Sequence, residues 1–250
     1  MTFSCKKCQV TFENEIKFCP NCGVEIKKSI IENRAGTLNL IIVFYVVFLV
    51  FIALSYYVNS EIEQSLSSEL TTEGIFALLV LGFAVFDFKV ILKLYKLPVI
   101  NWRIIIFTII FPIFSAFSVY YTFEFLNTYF FEAIDENYYE TYVYLNYPLF
   151  WSIIFIAILP PIFEELAFRG FLFNQLQKIV SERITIIATA FIFALVHFSF
   201  ISLLWIFPFG LVLGYLRSKY NTLWYGIVIH FIHNLIVLLL DYYMYTTLTL

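Results

Sequence analysis

Two adjacent glutamates and an arginine interrupt a long apolar stretch of the chain, in segment 163–169, which reads Phe-Glu-Glu-Leu-Ala-Phe-Arg. Without these three residues, the surrounding stretch 147–173 would read as an ordinary membrane-spanning helix. An ionisable side chain at the centre of such a helix costs about 2.5–3.5 kcal/mol on insertion scales and usually marks a functional site. These carboxylates are therefore the first candidates for chemistry in this sequence.

Helix geometry gives the two carboxylates different surroundings. Glu165 and Arg169 are four residues apart, so they lie on the same face of a helix and are able to pair. Glu164 lies about 100° around the helix from Glu165 at 3.6 residues per turn, so the same arginine serves it poorly. We expect Glu165 to be the charged partner of Arg169, and Glu164 to be the carboxylate available as a general base.

The composition places these residues in a membrane protein. Hydrophobic residues make up 62% of the 250 residues and charged residues only 13%, which excludes an ordinary soluble globular surface. The apolar stretches are 38–58, 74–97, 104–121, 147–173, 184–198, 203–216 and 223–240. The fifth and sixth are short and could be tilted or partly re-entrant. The predicted fold is an all-α polytopic membrane protein with about seven transmembrane helices, preceded by a small zinc ribbon.

The N-terminal segment carries all four cysteines of the chain, in two Cys-x-x-Cys pairs: Cys5, Cys8, Cys19 and Cys22. Four thiolates at this spacing are able to complete a tetrahedral zinc site, which leaves no open position for a substrate. Such a short segment cannot build a hydrophobic core, so metal binding would supply its folding free energy. We therefore expect a structural zinc ribbon over residues 1–26, a polar linker over 27–37, and no disulfides.

The charged residues are sorted between the loops. With the N-terminus in the cytoplasm, every one of the 15 Lys and Arg residues falls on the cytoplasmic side, as the positive-inside rule requires. The opposite loops carry acidic residues, among them Glu61, Glu69, Glu73, Glu140 and Asp241. This pattern predicts a multi-pass protein of the cell membrane with a cytoplasmic ribbon and an external C-terminus.

The membrane part divides into three predicted regions. Three N-terminal transmembrane helices are expected over 38–122, an external interfacial segment rich in Tyr and Phe over 123–146, and the core that carries the glutamates over 147–240. Within that core, Pro160 and Pro161 are expected to break or kink the helix just before the carboxylates. Such a break would free backbone carbonyls to face a polar cavity.

All three histidines of the chain, His197, His230 and His233, fall in predicted spans. Counted from assumed cytoplasmic helix ends, Glu164 and His197 lie roughly 21 Å deep and His230 roughly 16 Å deep at 1.5 Å per residue. Asn234 is one turn deeper than His230 on the same helix face. These side chains are therefore predicted to meet in one polar cluster, with His233 in a supporting or packing role.

Three motifs in this order, on successive membrane segments, resemble those of the CPBP family: Glu164-Glu165-x-x-x-Arg169, Phe193-x-x-x-His197 and His230-x-x-x-Asn234. That family contains the type II CAAX prenyl endopeptidases and their bacteriocin-processing or immunity relatives of the Abi-like kind. The resemblance covers about residues 147–240 and leaves the ribbon and the first three predicted spans outside it. Each motif alone is a weak signal, whereas the three in order within predicted spans are specific.

The resemblance implies a membrane-embedded endopeptidase, a hydrolase, in which Glu164 and His197 activate a water molecule. His230 with Asn234 would stabilise the tetrahedral oxyanion. Four residues would support these groups: Glu165, Arg169, Phe193 and His233.

The predicted cofactor is the structural zinc of the ribbon, and a catalytic metal stays open. Glu164, His197 and His230 are a ligand set that zinc accepts. A metal-free glutamate base is slightly favoured, because the usual metalloprotease motif His-Glu-x-x-His is absent from the sequence.

The sequence supports a leading function and an alternative. The leading interpretation is an intramembrane endopeptidase that cleaves a peptide or a prenylated or lipidated protein tail in the lipid bilayer. The alternative is a non-catalytic immunity or scaffold protein that binds a peptide partner in the same polar cavity. A transporter is disfavoured because no internal repeat is found. A lesser alternative, without any chemistry, is that these polar side chains only form interhelical hydrogen bonds. No nucleic acid is expected as a partner, and the sequence does not identify the partner of the ribbon.

Overall fold

The computed structural model describes residues 3–5, 7–12, 16, 18–24, 27–61, 63–98, 101–129, 137–198 and 200–248. Near the N-terminus, two short antiparallel strands, β1 (Phe3–Ser4) and β2 (Thr11–Phe12), form a hairpin. From Lys27 onward, all secondary structure in the described part of the chain is helical. The fold is therefore the predicted one, an all-α membrane domain preceded by a small cysteine-containing unit.

Ten α-helices follow the hairpin in the described ranges, several of them joined without a loop. Their bounds are α1 Lys27–Glu61, α2 Leu66–Ala84, α3 Phe88–Leu94, α4 Trp102–Tyr129, α5 Pro148–Ser152, α6 Leu159–Glu164, α7 Phe173–Gln177, α8 Glu182–Leu195, α9 Phe200–Tyr220 and α10 Trp224–Leu248. A 3-10 turn at Val85–Asp87 joins α2 to α3, and another lies at Glu140–Tyr142. Two π-helical stretches, Ile153–Ile158 and Glu165–Leu172, join α5, α6 and α7 into one irregular helix.

Among the described residues, five helical segments are long and apolar enough to cross a membrane: Arg34–Val58, Leu66–Leu94, Trp102–Leu126, Pro148–Gln177 and Trp224–Thr247. They confirm a multi-pass membrane protein and correspond to five of the seven predicted spans. The fifth predicted span is α8, whose 14 residues extend about 21 Å and fall short of a hydrocarbon core of about 30 Å. Because α8 and α9 pack as a hairpin, the side of the C-terminus is the same whether both cross or neither does.

Small residues let α8 and α9 approach each other. Gly210 and Gly214 of α9 are four residues apart and both contact α8. A Cβ atom added at Gly210 would lie 3.1 Å from the Cβ of Ala190, and one at Gly214 would lie 3.3 Å from Cγ2 of Ile186. Small residues at this spacing are favourable in membranes because close backbone packing, rather than hydrophobic burial, holds the helices together.

The first span packs against the helix that carries the two glutamates. The ring centroid of Phe44 in α1 lies 5.1 Å from that of Phe171 and 6.1 Å from that of Phe168. Phe83 of α2 completes the cluster at 5.1 Å from Phe44. Aromatic pairs at such distances contribute about 0.5–1.5 kcal/mol each beyond their buried area. The N-terminal helices therefore share a packed core with the glutamate-bearing helix.

One end of the helix bundle is held together by contacts of basic and amide side chains. Lys178 and Gln175 contact the carboxylate of Asp87 at 2.8 and 2.6 Å. The hydroxyl of Thr222, between α9 and α10, donates to the carbonyl of Leu94 at the end of α3. The loops that the sequence analysis assigned to the basic, cytoplasmic side therefore lie together at one end of the bundle.

The opposite end is covered by residues 137–147. The Tyr144 hydroxyl donates to the Glu69 carboxylate at 3.0 Å, and the Asn137 amide donates to the carbonyl of Asp241 at 3.0 Å. These acidic residues therefore share one end of the bundle, away from the basic end. Residues 130–136 of the predicted external segment lie outside the described residues.

The start of two helices differs from the sequence-based boundaries. Residues 27–37, expected as a polar linker, form the first turns of α1 and continue into the first span. Glu69 and Glu73, expected in an external loop, lie on α2, because a capping box between Ser65 and Ser68 begins this helix before its apolar run. The loop placement of Glu73 is therefore wrong.

Cysteine accessibility in intact cells tests the orientation of the bundle. In a chain whose four ribbon cysteines are replaced by Ser, a Cys at Glu140 is expected to react with a membrane-impermeant maleimide added from outside. A Cys at Lys93 is expected to react only after permeabilisation, because the basic end faces the cytoplasm. Labelling of the Cys at position 93 in intact cells would show that the predicted orientation is wrong.

Candidate active site

Glu165 and Arg169 form a completely buried ion pair inside the irregular fourth span. Nη1 of Arg169 donates to Oε1 of Glu165 at 2.8 Å, and both residues are 0% exposed. Nη2 of Arg169 donates to the carbonyl of Gly210 on α9 at 3.3 Å, and the guanidinium lies over the ring of Phe193 on α8 at 4.2 Å. The predicted pair is present, and it links the fourth span to two further helices.

The absence of a side chain at Gly226 lets α10 approach this pair. A Cβ atom at Gly226 would collide with the Oε2 atom of Glu165. Any side chain at this position would therefore force Glu165 away from Arg169 or push α10 outward. Gly226 lies one turn before His230 on α10, so the same close approach brings His230 to the carboxylates.

His230 lies between the two glutamates. Its Nε2 atom is 3.8 Å from Oε2 of Glu164, and its Nδ1 atom is 3.6 Å from Oε1 of Glu165. The rings of Phe193 and Phe209 flank the imidazole at centroid distances of 5.9 and 5.7 Å. Each ring nitrogen thus faces one carboxylate, and the structure brings Glu164 and His230 together as expected.

The two carboxylates differ in contacts and in exposure. The Glu165 side chain is 1% exposed and is held by Arg169, whereas the Glu164 side chain is 20% exposed. The Oε2 atom of each carboxylate is buried without a hydrogen-bond partner in the part of the chain that the structure describes, so the two differ in side-chain exposure and in the contact with Arg169. Glu164 is therefore the carboxylate at the open side of the cluster.

Asn234 fills a gap that the two prolines leave in the helix backbone. The carbonyl of Ile156 would accept from residue 160 in an α-helix or from residue 161 in a π-helix. Both residues are proline, which has no N–H to donate. Nδ2 of Asn234 donates to this carbonyl instead, at 2.9 Å. The prolines thus free a backbone carbonyl as expected, and α10 satisfies it.

His197 stands apart from the carboxylates. It is exposed in the turn after α8, and its Nδ1 atom lies 2.8 Å from the carbonyl oxygen of Phe193. Since a carbonyl oxygen only accepts, Nδ1 is the donor of this contact, and in the neutral ring Nε2 is then the acceptor. Among the described residues no carboxylate contacts His197, so the structure brings Glu164 to His230 but not to His197.

Two aromatic rings organise the three histidines. The ring of Phe193 contacts two of the imidazoles, at centroid distances of 5.0 Å from His197 and 5.9 Å from His230. The ring of Phe209 lies 4.8 Å from His233. His233 therefore packs beside the cluster, which agrees with a supporting role.

Sequence reasoning missed one carboxylate near this site, Glu73 of α2. Its Oε2 atom is buried without a hydrogen-bond partner in the described ranges. The ring of Phe76 lies 6.4 Å from that of Phe163, which brings α2 against α6 at this level. The available signal was the spacing of four between Glu69 and Glu73, which puts both on one helix face.

Residues 146–236 match the sequence model of the Rce1-like type II CAAX prenyl endopeptidases. This matched stretch, called the Rce1-like segment below, is similar to that family and covers 91 of the 250 residues. Comparisons with curated proteins and with solved structures found no match. The Rce1-like segment contains both glutamates, their arginine and all three histidines, and it leaves out the N-terminal cysteines and helices α1 to α4.

Outside the Rce1-like segment, four free thiols lie within 4.8 Å of one another: Cys5, Cys8, Cys19 and Cys22. The two cysteine pairs have the same backbone fold. The N–H of Cys5 donates to the carbonyl of Val10 at 2.9 Å, and the N–H of Cys19 donates to that of Val24 at 2.8 Å. Four sulfur atoms in two matching turns could hold one metal ion, and they fit the predicted zinc ribbon.

Ligand geometry separates the cysteines from the membrane residues. A hydrogen bond from the backbone of Val10 lowers the pKa of the Cys8 thiol to about 6, whereas burial and the other three cysteines raise the pKa of Cys22 to about 12. In the described part of the chain, only the cysteines bring three or more possible metal ligands together. Glu164, His197 and His230 do not converge on one point in the Rce1-like core.

Loss of the buried pair should destabilise the Rce1-like core more than loss of Glu164. Glu165→Gln leaves Arg169 buried without its carboxylate, and breaking a buried pair in this way costs about 3–5 kcal/mol. Glu164→Gln replaces a carboxylate by a neutral amide of the same shape, so the fold is retained or gains stability. Thermal unfolding in detergent measures both, with the exposed Glu63→Gln as control. Equal losses of stability in Glu164→Gln and Glu165→Gln would contradict the division between them.

Metal analysis of the purified protein tests the ribbon. Wild type is expected to hold about one zinc per chain, and a Cys5→Ser/Cys22→Ser variant is expected to lose it because two of four ligands are gone. Removal of residues 1–26 is expected to leave the membrane core folded, because the stability of the ribbon comes from its own metal. Undiminished zinc in the double variant would place the metal at the histidines instead.

Proposed function

We propose that this chain is an intramembrane endopeptidase of the CAAX-protease or bacteriocin-processing type in which Glu164 activates water. The observation that carries the proposal is the division between the two glutamates: Arg169 holds Glu165, while Glu164 is at the open side of the cluster. A general base must reach the proton that it abstracts, and a carboxylate enclosed by an arginine does not. The Rce1-like match supports a protease function for this part of the chain.

In the proposed reaction, Glu164 accepts a proton from a water molecule as the water oxygen attacks a peptide carbonyl. His197 supports this step from the exposed side, because its Nε2 atom is the proton acceptor of the ring. Catalytic hydrogen bonds are often long in the absence of substrate and tighten in the Michaelis complex. The separation of His197 from Glu164 is compatible with this role if the contacts between the two side chains and water form only when substrate binds.

His230 and Asn234 are proposed to stabilise the oxyanion that this attack creates. Asn234 uses one amide hydrogen for the carbonyl of Ile156 and has a second one for the substrate. That carbonyl has no donor within its own helix, so the contact holds the Asn234 amide in place before substrate binds. Donors that are preorganised in this way are usually the largest single contribution to such catalysis.

We favour a metal-free glutamate base for this reaction. A catalytic zinc site has three protein ligands around one point and an open position for water. Glu164 and His230 are 3.8 Å apart, but among the described residues no third ligand joins them to form such a group. The zinc that we propose for this chain is therefore the structural ion of the ribbon.

We further propose that the substrate is a peptide or a prenylated or lipidated protein tail that enters from the bilayer. Glu164 lies within a membrane-spanning segment, so a substrate must reach it at membrane depth. The basic end of the bundle is proposed to face the cytoplasm of the cell, with the ribbon on that side available to a partner. The alternative is a non-catalytic protein that binds a peptide at the same polar cluster. Such a function would not require Glu164 to accept a proton.

Comparison of peptide products in cells separates the two functions. A deletion strain complemented with wild type is expected to form a cleavage product that Glu164→Gln does not restore, because an amide cannot accept the proton of water. Asn234→Ala is expected to lower product formation by about 10²–10³, the usual effect of losing one oxyanion donor. The exposed Glu63→Gln is the matched control and restores the product. Full restoration by Glu164→Gln would favour the binding alternative.

A further inference from the structure

Arg217 is a second buried arginine, and the proposed mechanism does not use it. It lies in the last turn of α9 and is 4% exposed. Among the described residues no carboxylate pairs with it, in contrast to Arg169. Its hydrogen bonds go to three oxygen atoms of neutral groups: the carbonyl of Arg169 at 3.0 Å, the side-chain amide of Asn174 at 2.8 Å and that of Asn221 at 2.9 Å.

The carbonyl of Arg169 is one that its own helix leaves free. The N–H of Phe173 donates to the carbonyl of Phe168, five residues earlier, where the second π-helical stretch ends. The α-helical pattern that follows pairs each N–H with the carbonyl four residues earlier. The bonding therefore passes from the carbonyl of Phe168 to that of Gly170, and Nε of Arg217 supplies the donor for the carbonyl between them.

Helix α9 holds Arg169 at two points. Arg217 donates to its backbone carbonyl, and the carbonyl of Gly210 accepts from its Nη2 atom at 3.3 Å. Gly210 and Arg217 are seven residues apart, which is two turns of one helix face and about 10 Å at 1.5 Å per residue. Backbone and side chain of one residue in the fourth span are thus both in contact with the same face of α9.

The next residue of α9, Phe209, contacts the imidazole of the cluster. Its ring lies 5.7 Å from that of His230 and 4.8 Å from that of His233. His230 in turn faces Glu164 at 3.8 Å and Glu165 at 3.6 Å. Helix α9 therefore touches His230 as well as the arginine of the buried pair.

We propose that Arg217 is a positioning residue for the reaction proposed above: its hydrogen bonds to Arg169 and Asn174 hold α9 at the position along the fourth span at which His230 faces Glu164. Two of its three hydrogen bonds go to the fourth span, and a planar guanidinium directs them more strictly than an ammonium group would. Its contacts among the described residues include none of the proposed catalytic side chains, so Arg217 acts through α9. The effect on catalysis rests on the proposed function, whereas the effect on the position of His230 does not.

Nuclear magnetic resonance of the purified full chain with isotope-labelled histidines tests this position. In Arg217→Gln the ring resonances of His230 and His233 are expected to shift, because the ring of Phe209 moves relative to both. Those of His197 are expected to stay, because its hydrogen bond and its ring contact come from α8. Unchanged His230 resonances in folded Arg217→Gln would overturn the proposal. An equal shift at His197 would overturn it as well, since the change would then not be specific to the contacts of α9.

Three further variants separate the direction of these hydrogen bonds from charge. Arg217→Lys keeps the positive charge but not the planar group, so it is expected to shift the same resonances. Asn174→Leu removes one hydrogen bond to the fourth span and is expected to cause a smaller shift. If the Arg217 variants do not fold, unchanged His230 resonances in Asn174→Leu would overturn the proposal.

The matched control is Asn221→Gly, which removes the hydrogen bond that does not reach the fourth span. Asn221 has a φ of +49°, and glycine adopts this left-handed conformation without strain. The His230 resonances are expected to stay where they are in wild type. A shift as large as in Arg217→Gln would contradict the role of the fourth-span contacts.

Product formation in the complemented deletion strain separates this inference from the proposed function. Arg217→Gln and Arg217→Lys are expected to lower product formation per folded chain by about 10²-fold, the usual effect of a misplacement by about 1 Å. Lys219→Gln, which removes an exposed positive charge from the same helical turn, is expected to leave it unchanged. Product formation that depends on Glu164 but not on Arg217 would overturn this inference and keep the proposed function. Shifted His230 resonances in the Arg217 variants, together with product formation that does not depend on Glu164, would keep the positioning of His230 and overturn the proposed function.

Discussion

The buried ion pair between Arg169 and Glu165 is the interaction on which the membrane core depends. A guanidinium that is 0% exposed has lost its hydration, and in a membrane only polar protein groups are able to replace it. Here the replacement comes from the carboxylate of Glu165, the carbonyl of Gly210 and the ring of Phe193. These groups belong to the fourth span, α9 and α8, so the contacts of one buried cation link three helical elements.

The fourth span is irregular on both sides of the glutamates, and neighbouring helices satisfy the backbone groups that this irregularity leaves. Before the glutamates, Asn234 donates to the carbonyl of Ile156. Within the following π-helical stretch, Nε of Arg217 donates to the carbonyl of Arg169 at 3.0 Å. An unsatisfied carbonyl in lipid costs several kcal/mol, so these contacts constrain α9 and α10. The helices that complete the site are thus the ones that the irregular backbone requires.

The features that the sequence determined by itself are local ones. The spacing of four between Glu165 and Arg169 is enough to predict their pairing, because both positions lie on one turn of the same helix. The prolines at 160 and 161 remove two donors wherever the helix lies, so a free carbonyl follows from their identity. The membrane class follows from composition, and the cysteine cluster follows from its repeated spacing, since each pair folds within its own turn.

The tertiary structure alone decided which side chains meet across helices. Residue counts along straight helices place His197 and His230 at similar depths beside Glu164, but only His230 reaches it. The reason is close packing: the missing side chain at Gly226 lets α10 approach the carboxylates, whereas the His197 ring is held in the turn after α8 by the carbonyl of Phe193. The approach of α2 to α6 is likewise set by packing, through the contact between the rings of Phe76 and Phe163. The distance between two helices depends on the residues of both at their contact, so the periodicity of one helix does not predict it.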